Sequence, residues 1–166
     1  MKKIVIFLFI LITYLCFVSN NSKVLIPDNS IRIRIIANSD KLEDQENKAI
    51  IKNEVNSYLY MKLKNVDNYS DAKNIVKESV NDINDIVKAH ESDYEVIYGD
   101  NYFPEKEYKG VKYNEGEYES LVITLGKGNG KNFWCVLFPP LCMIDESKLN
   151  DVSYGFYVSE LLKRIK

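Results

Sequence analysis

The hydrophobic pattern of this 166-residue chain changes near residue 93, and this change constrains the fold more than any other feature. Before that point, apolar residues recur at steps of three and four, which predicts helices. After it, short apolar runs are separated by glycine, proline and polar residues, which predicts strands. With one further strand ahead of the helices, this order is typical of an α+β domain with a mostly antiparallel sheet.

The strand ahead of the helices is predicted from Ile31 to Ala37, where isoleucine alternates with arginine as in a half-buried strand. Two helices are predicted over residues 41–64 and 72–90. Each has one apolar stripe, so we expect a helical hairpin that covers one face of the sheet. The stripes comprise Ile51, Val55, Tyr58, Leu59 and Leu63 in the first helix, and Ala72, Ile75, Val76, Ser79, Val80, Ile83, Ile86, Val87 and His90 in the second.

Polar residues mark the starts of both helices. Asp40 followed by Glu43 has the form of a capping box ahead of the first helix, with Asp in place of Ser or Thr. Asn68 or Ser70 is the expected cap of the second helix.

The later elements are less regular, and Pro104 would interrupt one of the predicted strands. Glycines in the segment 126–131 can supply positive φ angles, so we expect a hairpin between the strands on either side. A phosphate-binding loop is disfavoured there, because such loops lead into a helix. The later strands are predicted at 94–98, 102–111, 118–125 and 133–138, and a closing helix at 153–165.

The N-terminus predicts export. Lys2 and Lys3 precede an apolar run over residues 4–18, typical of a signal peptide and shorter than the ~20 residues of a spanning helix. A good cleavage site is missing, so signal peptide and uncleaved membrane anchor both stay open. With a polar linker over 20–29, residues 1–29 are excluded from the fold, and a single domain is predicted over 30–166.

The net charge and the absence of known catalytic motifs disfavour several classes of function. The net charge is −2 without a basic stripe, which disfavours nucleic acid as a partner. His90 is the only histidine, and the motifs of hydrolases, zinc proteases and nucleotide-binding loops are absent from the sequence. We therefore predict no enzymatic activity, no metal and no cofactor. Two alternatives stay open: an exported hydrolase or wall-binding protein with an unrecognised carboxylate pair, and a passive membrane-anchored structural domain.

The segment 132–142 holds the only tryptophan and two of the three cysteines. Its apolar strand must end at the proline pair, since proline lacks an N–H to donate. Cys135 and Cys142 are candidates for a disulfide, the alternative being two buried free thiols. An aromatic and proline cluster suits a partner-binding surface as well as a core. Its members are Trp134, Phe138, Pro139, Pro140 and Leu141.

A second polar cluster lies where the first strand meets the first helix. It contains Asn38, Ser39 and Asp44, and Asp44 lies four residues ahead of Lys48, a spacing that stabilises a helix by a few tenths of a kcal/mol. A capped helix start accounts for most of this cluster.

Three separated motifs, at residues 31–40, 116–121 and 132–142, resemble the stage II sporulation protein R family of endospore-forming bacteria. The resemblance implies an exported signal, made in the forespore and delivered to the space between the forespore and mother-cell membranes. There it would activate a membrane-embedded aspartic protease, from its extracytoplasmic face, that processes pro-sigma factor E in the mother cell. The chain would be the ligand and not the enzyme. A contact role for Asn38, Ser39 and the nearby Asp44 is also implied, because the first motif is a family hallmark.

The chain departs from the family pattern at two positions. Arg34 stands where histidine is usual, and Phe133 stands where a second tryptophan is common. Any role that requires that histidine is therefore in doubt for this chain.

Overall fold

The computed structural model describes residues 24–26, 29–108 and 111–141, together with Ile6, Ile10, Leu11, Ser159, Glu160 and Lys163. Within these residues the chain forms three helices and seven strands. In chain order they are β1 (Val24–Leu25), β2 (Ile31–Ile36), α1 (Leu42–Leu63), α2 (Tyr69–Glu78), α3 (Val80–Lys88), β3 (Tyr94–Phe103), β4 (Lys106–Tyr108), β5 (Val111–Tyr113), β6 (Gly116–Leu125) and β7 (Asn132–Phe138).

The main sheet has four strands in the order β3-β6-β2-β7. Strand β2 is parallel to β6 and antiparallel to β7, while β3 and β6 are antiparallel. The predicted α+β class with a mostly antiparallel sheet is therefore confirmed.

The three helices cover one face of this sheet, as the apolar stripes predict. Every second residue of β2 and β6 faces them, because side chains alternate between the two faces of a strand. Together with residues of β7, these side chains and the helix stripes form one buried cluster. Its fully buried members include Ile31, Ile33, Ile35, Ile51, Val55, Leu59, Ala72, Val76, Ile83, Val87, Leu121, Ile123 and Leu137.

The hairpin predicted around loop 126–131 is wrong. Strand β2 lies between β6 and β7, so the loop crosses the end of β2, a span of about 10 Å at the usual strand spacing. The backbone N–H groups of Asn129 and Gly130 donate to the carbonyl oxygens of Asn38 and Ala37 just beyond β2. The half-buried prediction for β2 is also wrong, because the helices cover one face of the strand and Arg32 on the other face is buried as well.

The helix starts differ in part from the prediction. Asn68 caps α2 as expected, and its Oδ1 accepts from the N–H of Asp71 at 2.9 Å. The capping box of Asp40 and Glu43 is wrong: the N-cap of α1 is Lys41, without a side-chain cap. Asp40 instead accepts from the N–H of Lys131 at 2.7 Å, so its carboxylate is committed to the loop ahead of β7.

The long second helix is divided in two. The middle of its stripe is buried and the flanking stripe residues are half-buried, but the helix turns at Ser79, which separates α2 from α3. The Ser79 hydroxyl donates to the carbonyl of Ile75 at 2.7 Å. A serine that bonds back to the preceding turn commonly bends a helix, which accounts for the division.

A second, three-stranded sheet has the order β1-β5-β4. Strand β1 belongs to the segment 20–29 that was predicted as a linker, and Ile26 after it is fully buried. Residues 24–26 therefore take part in the fold, because Val24 and Leu25 pair with β5 and the N–H of Ile26 donates to the carbonyl of Lys112. Sequence reasoning overlooked this strand because it is only two residues long.

The strands predicted at 118–125 and 133–138 are confirmed within two residues, whereas the strand predicted over 102–111 is divided between the end of β3 and β4, and β5 was not predicted. Strand β3 extends beyond residue 98 to Phe103, and Pro104 separates it from β4. Strand β7 ends at Phe138, just ahead of the proline pair. The leader over 4–18 and the closing helix over 153–165 lie almost entirely outside the described residues. Among the residues that are described, no helix is both long enough and apolar enough to cross a membrane.

Candidate functional site

The sheet face turned away from the helices carries two arginines. Because side chains alternate along β2, Arg32 and Arg34 point away from the helix layer that its isoleucines face. We call this surface the arginine face. It collects aromatic residues from strands that are far apart in sequence.

Arg32 is a buried, structural member of this face. Its side chain is only 2% exposed. The guanidinium carbon lies 3.2 Å from the ring centroid of Tyr118 and 5.4 Å from that of Phe103. Its Nη1 donates to the carbonyl oxygen of Asn114 at 3.3 Å. These contacts join β2 of the main sheet to the segment that follows β5.

Arg34 is half-buried and lies beside the only tryptophan. Its guanidinium carbon is 4.5 Å from the Trp134 ring centroid, and the Lys106 ammonium is 5.3 Å from the same centroid. Phe103 meets the edge of Trp134, with a centroid distance of 5.0 Å and an interplanar angle of 75°. Burial lowers the pKa of Arg34, and this shift has no opposing contribution from a carboxylate. The group stays charged, since arginine does not lose its proton in proteins.

Aliphatic side chains lie beside Arg34 on the neighbouring strands of the same face. Val122 is the partner of Arg34 on β6, and Ile97 is the partner of Val122 on β3. Paired residues share a face, so Ile97, Val122, Arg34 and Trp134 form one transverse row. Ile97 is 43% exposed. The row therefore combines an accessible aliphatic surface with a cation and an aromatic ring.

The polar cluster at the start of α1 is engaged within the chain. Asn38 accepts from the N–H of Lys127 at 3.0 Å and donates to Asp44 at 3.2 Å. The hydroxyl of Ser39 also donates to the Asp44 carboxylate. Gln45 donates to the carbonyl oxygen of Ser39 at 2.8 Å. The three predicted contact residues Asn38, Ser39 and Asp44 are thus brought together, and their bonds join the end of β2 to the glycine loop.

Two glycines make this junction possible. A Cβ atom on Gly126, whose φ is +53°, would come within 2.7 Å of Cγ of Asn38. A Cβ atom on Gly130 would collide with the carbonyl of Ser39 and would lie 2.9 Å from Cβ of Ala37. The glycine spacing therefore serves a close backbone approach between the loop and the end of β2.

Lys48 does not form the predicted helix pair with Asp44. Its ammonium donates to Gln45 at 2.7 Å and to the carbonyl oxygen of Lys131 at 2.8 Å. Burial lowers the pKa of Lys48, while Asp40 partly opposes the shift. The prediction failed because Asp44 turns back towards Asn38 and Ser39.

The predicted C-terminal contact patch divides by exposure. Phe138 and Leu141 are 1% and 2% exposed, and Pro139 is also buried. Trp134 and Pro140 are half-buried. The geometry favours Trp134 as a contact residue and favours a core role for the buried three. A contact role for any of them stays a prediction.

The structure describes only one of the two cysteines in the predicted disulfide. Cys135 is disulfide-bonded. Its predicted partner Cys142 lies outside the described residues, as does Cys16, so the pairing of Cys135 with Cys142 stays a prediction.

The motif 116–121 has structural roles that sequence reasoning missed. Tyr118 stacks on Arg32. Glu119 is largely buried and pairs with the Lys73 ammonium of α2 at 2.5 Å, which holds the helix against the sheet. Burial raises the pKa of Tyr98 beside it, and the Glu119 carboxylate raises it further. No local pattern signals these partners, because they lie 20 or more residues apart in sequence.

The single histidine lies away from the arginine face. Its Nε2 is 3.0 Å from a carboxylate oxygen of Glu54 on α1, at a half-exposed position. Among the described residues, no group of three or more His, Cys, Asp or Glu side chains is placed to hold a metal ion. His90 therefore contributes a surface ion pair when protonated.

Comparisons with known proteins agree with the three motifs. The family model described as "Stage II sporulation protein R" matches residues 27–148. A curated relative, "Stage II sporulation protein R" of Bacillus subtilis (strain 168), is 40% identical over 139 residues, which cover 78% of this chain and 60% of the relative. The chain thus spans about three fifths of the length of this relative. No solved structure matches significantly. From the family match and this identity, the chain belongs to the stage II sporulation protein R family.

Proposed function

We propose that this chain is an exported signal of sporulation that activates a membrane-embedded aspartic protease. The protease then removes the pro-sequence of sigma factor E in the mother cell. In this proposal the chain is made in the forespore, crosses its membrane and acts from the space between the two membranes. The chain contributes binding energy to the receptor and performs no chemistry of its own.

The observation that carries the proposal is the family match over residues 27–148, because the family is named for sporulation and not for a reaction. The leader pattern over residues 4–18 supports export. The arginine face supports a binding role, because it offers a half-buried tryptophan, an arginine and accessible aliphatic side chains, which are typical of recognition surfaces.

A ligand activates a receptor only to the extent that it binds the active state more tightly than the inactive state. Suppose the inactive state outnumbers the active state 99 to 1 before binding. To reverse this ratio, the binding free energy of the ligand must be about 5.5 kcal/mol more favourable for the active state. A rigid sheet surface with preformed side chains is suited to this task, since little ordering is needed on binding.

A gene deletion in an endospore-forming host tests the proposal. We expect the deletion to abolish cleavage of pro-sigma factor E, followed on immunoblots. Expression of the full chain in the forespore alone should restore cleavage in the mother cell. The matched control lacks residues 1–23 and is made in the same compartment. If this leaderless chain accumulates in folded form and restores cleavage equally well, export is not required and the proposal is wrong.

A further inference from the structure

Arg34 has donor groups that the chain itself does not use. Its Nε atom is buried and has no hydrogen-bond partner in the described part of the chain. Burial lowers the pKa of the guanidinium, and this shift has no opposing contribution from a carboxylate. Removing water from a cation without supplying an anion costs free energy. Because Arg34 as a whole is only half-buried, a ligand can bring the missing anion to the exposed part of its side chain.

The surroundings hold Arg34 in place before a ligand arrives. Its guanidinium stacks on Trp134, and Trp134 is fixed in turn by the edge contact with Phe103. Lys106 lies near the same ring, and within the described residues neither Lys106 nor Arg34 forms an ion pair. Two unpaired cations beside one indole ring favour a planar anion, because the arginine fork matches a carboxylate.

The aliphatic residues of the row indicate which side chain the ligand needs beside its carboxylate. Ile97 and Val122 continue from Arg34 across two strands, and Ile97 is the exposed member. A ligand that covers this row needs an apolar side chain a few ångströms from its carboxylate. A protein segment with an acidic residue next to an aliphatic one has this chemistry.

A membrane surface fits the row less well. Anionic lipid surfaces attract clusters of roughly four to eight basic residues. Here there are two cations, on a chain whose 24 acidic residues outnumber its 22 basic residues. The charge therefore favours one carboxylate from a protein over a layer of lipid phosphates.

We infer that Arg34, Lys106 and Trp134 bind a carboxylate side chain in an acidic and partly aliphatic segment of the receptor. The inference rests on the proposed function and identifies the contact that the receptor makes. Arg34 donates to the carboxylate, Lys106 adds a second positive charge, and the aliphatic neighbour of the acid covers Ile97 and Val122.

The test uses the full chain, co-expressed with the protease and its pro-factor in a non-sporulating host. Arg34→Met keeps a long side chain against Trp134 but removes the charge, and Lys106→Met removes the second charge. Loss of a charge-assisted contact should raise the amount of protein needed for half-maximal cleavage by about 10- to 100-fold. Lys62→Met is the matched control, because Lys62 lies 5.4 Å from the ring of Tyr58 on α1, away from the arginine face.

The stability of Arg34→Met is a second measurement. It should stay the same or rise if Arg34 binds the receptor, and fall if Arg34 only supports the fold. Replacing an unpaired, partly buried charge with an apolar side chain is neutral or stabilising. Arg34→Met should therefore unfold at the same or a higher urea concentration than the wild type while it signals more weakly. A loss of stability that matches the loss of signalling would show that Arg34 only supports the fold, and would overturn the inference.

The remaining outcomes separate the inference from the proposed function. If the wild-type chain causes no cleavage, the proposed function fails. If the wild type is active and Arg34→Met is equally active, the inference alone fails. Sedimentation with vesicles of phosphatidylglycerol and phosphatidylcholine tests a lipid source of the anion, and sedimentation velocity tests a second copy of the chain. Binding or self-association that requires Arg34 in either assay would overturn the assignment to the receptor.

Discussion

Gly130→Ala should destabilise the protein more than a change of one methyl group usually does. The added Cβ would collide with the carbonyl of Ser39, with 2.6 Å to the carbonyl carbon, and would lie 2.9 Å from Cβ of Ala37. Carbon atoms pack at about 3.5–4.0 Å, so the loop must move by roughly 1 Å. The obstacle is backbone at the end of β2, which cannot rotate aside as a side chain can.

The movement also strains the backbone hydrogen bonds at and beside residue 130. Gly130 donates its N–H to the carbonyl of Ala37 at 2.8 Å, and pairing of β7 with β2 begins two residues later at Asn132. Overpacking costs about 1–3 kcal/mol, and loss of a buried hydrogen bond adds about 1 kcal/mol. We expect a total of about 2–4 kcal/mol, a large part of the ~5–15 kcal/mol that stabilises a typical domain.

Urea unfolding measures this loss, with far-ultraviolet circular dichroism for the fold and fluorescence for the single Trp134 on β7. With an m-value of about 2 kcal/mol/M, the midpoint should fall by about 1–2 M. Asn129→Ala is the control, because Asn129 is exposed and keeps its backbone bond to Asn38. A midpoint for Gly130→Ala within about 0.2 M of that control would refute the close approach of loop and strand.

Three further predictions concern the core, the half-buried phenol of Tyr98 and the cysteines. Leu121→Ala should cost about 2–5 kcal/mol in urea unfolding, because the side chain is fully buried beneath the helices. Stability should fall as pH rises above about 10, since the raised pKa of Tyr98 keeps its proton in the folded state while the unfolded phenol loses it. Tyr98→Phe should reduce that slope in unfolding measured from pH ~8 to ~11. If Cys135 pairs with Cys142, a reductant should lower the free energy of unfolding by about 2 kcal/mol.

Each of these predictions has an outcome that would contradict it. Val122→Ala on the opposite face should cost less than Leu121→Ala, and equal costs would contradict the assignment of the two faces. An alkaline slope that Tyr98→Phe does not alter would count against the raised pKa of this half-buried phenol. Thiol labelling of both Cys135 and Cys142 in the native, unreduced protein would exclude the predicted pair.

The helices and the strand order show what sequence could and could not predict. Helix positions followed from repeats such as Val55 and Leu59, since an apolar stripe depends only on local spacing. The insertion of β2 between β6 and β7 could not be predicted in this way. A glycine loop of six residues permits either a hairpin or a crossing, and only the packing of a remote strand decides between them.

The contacts of the arginine face likewise could not be predicted from the sequence. Isoleucine alternating with arginine predicts a strand with one wet face, yet Arg32 is buried because Tyr118 and Phe103 lie over it. Those rings are more than 70 residues away in sequence. Trp134 was identified as a contact candidate from composition alone, whereas Arg34 and Lys106 become its neighbours only through strand pairing and the β4 segment.

The most direct test of the central claim is co-expression of this chain with the membrane-embedded protease and pro-sigma factor E in a host that does not sporulate. Cleavage of the pro-factor should appear when the chain is exported. It should be absent when the chain lacks residues 1–23 or when the protease carries a mutated catalytic aspartate. Absence of cleavage while the exported chain is folded and present, or cleavage without the protease, would contradict the account.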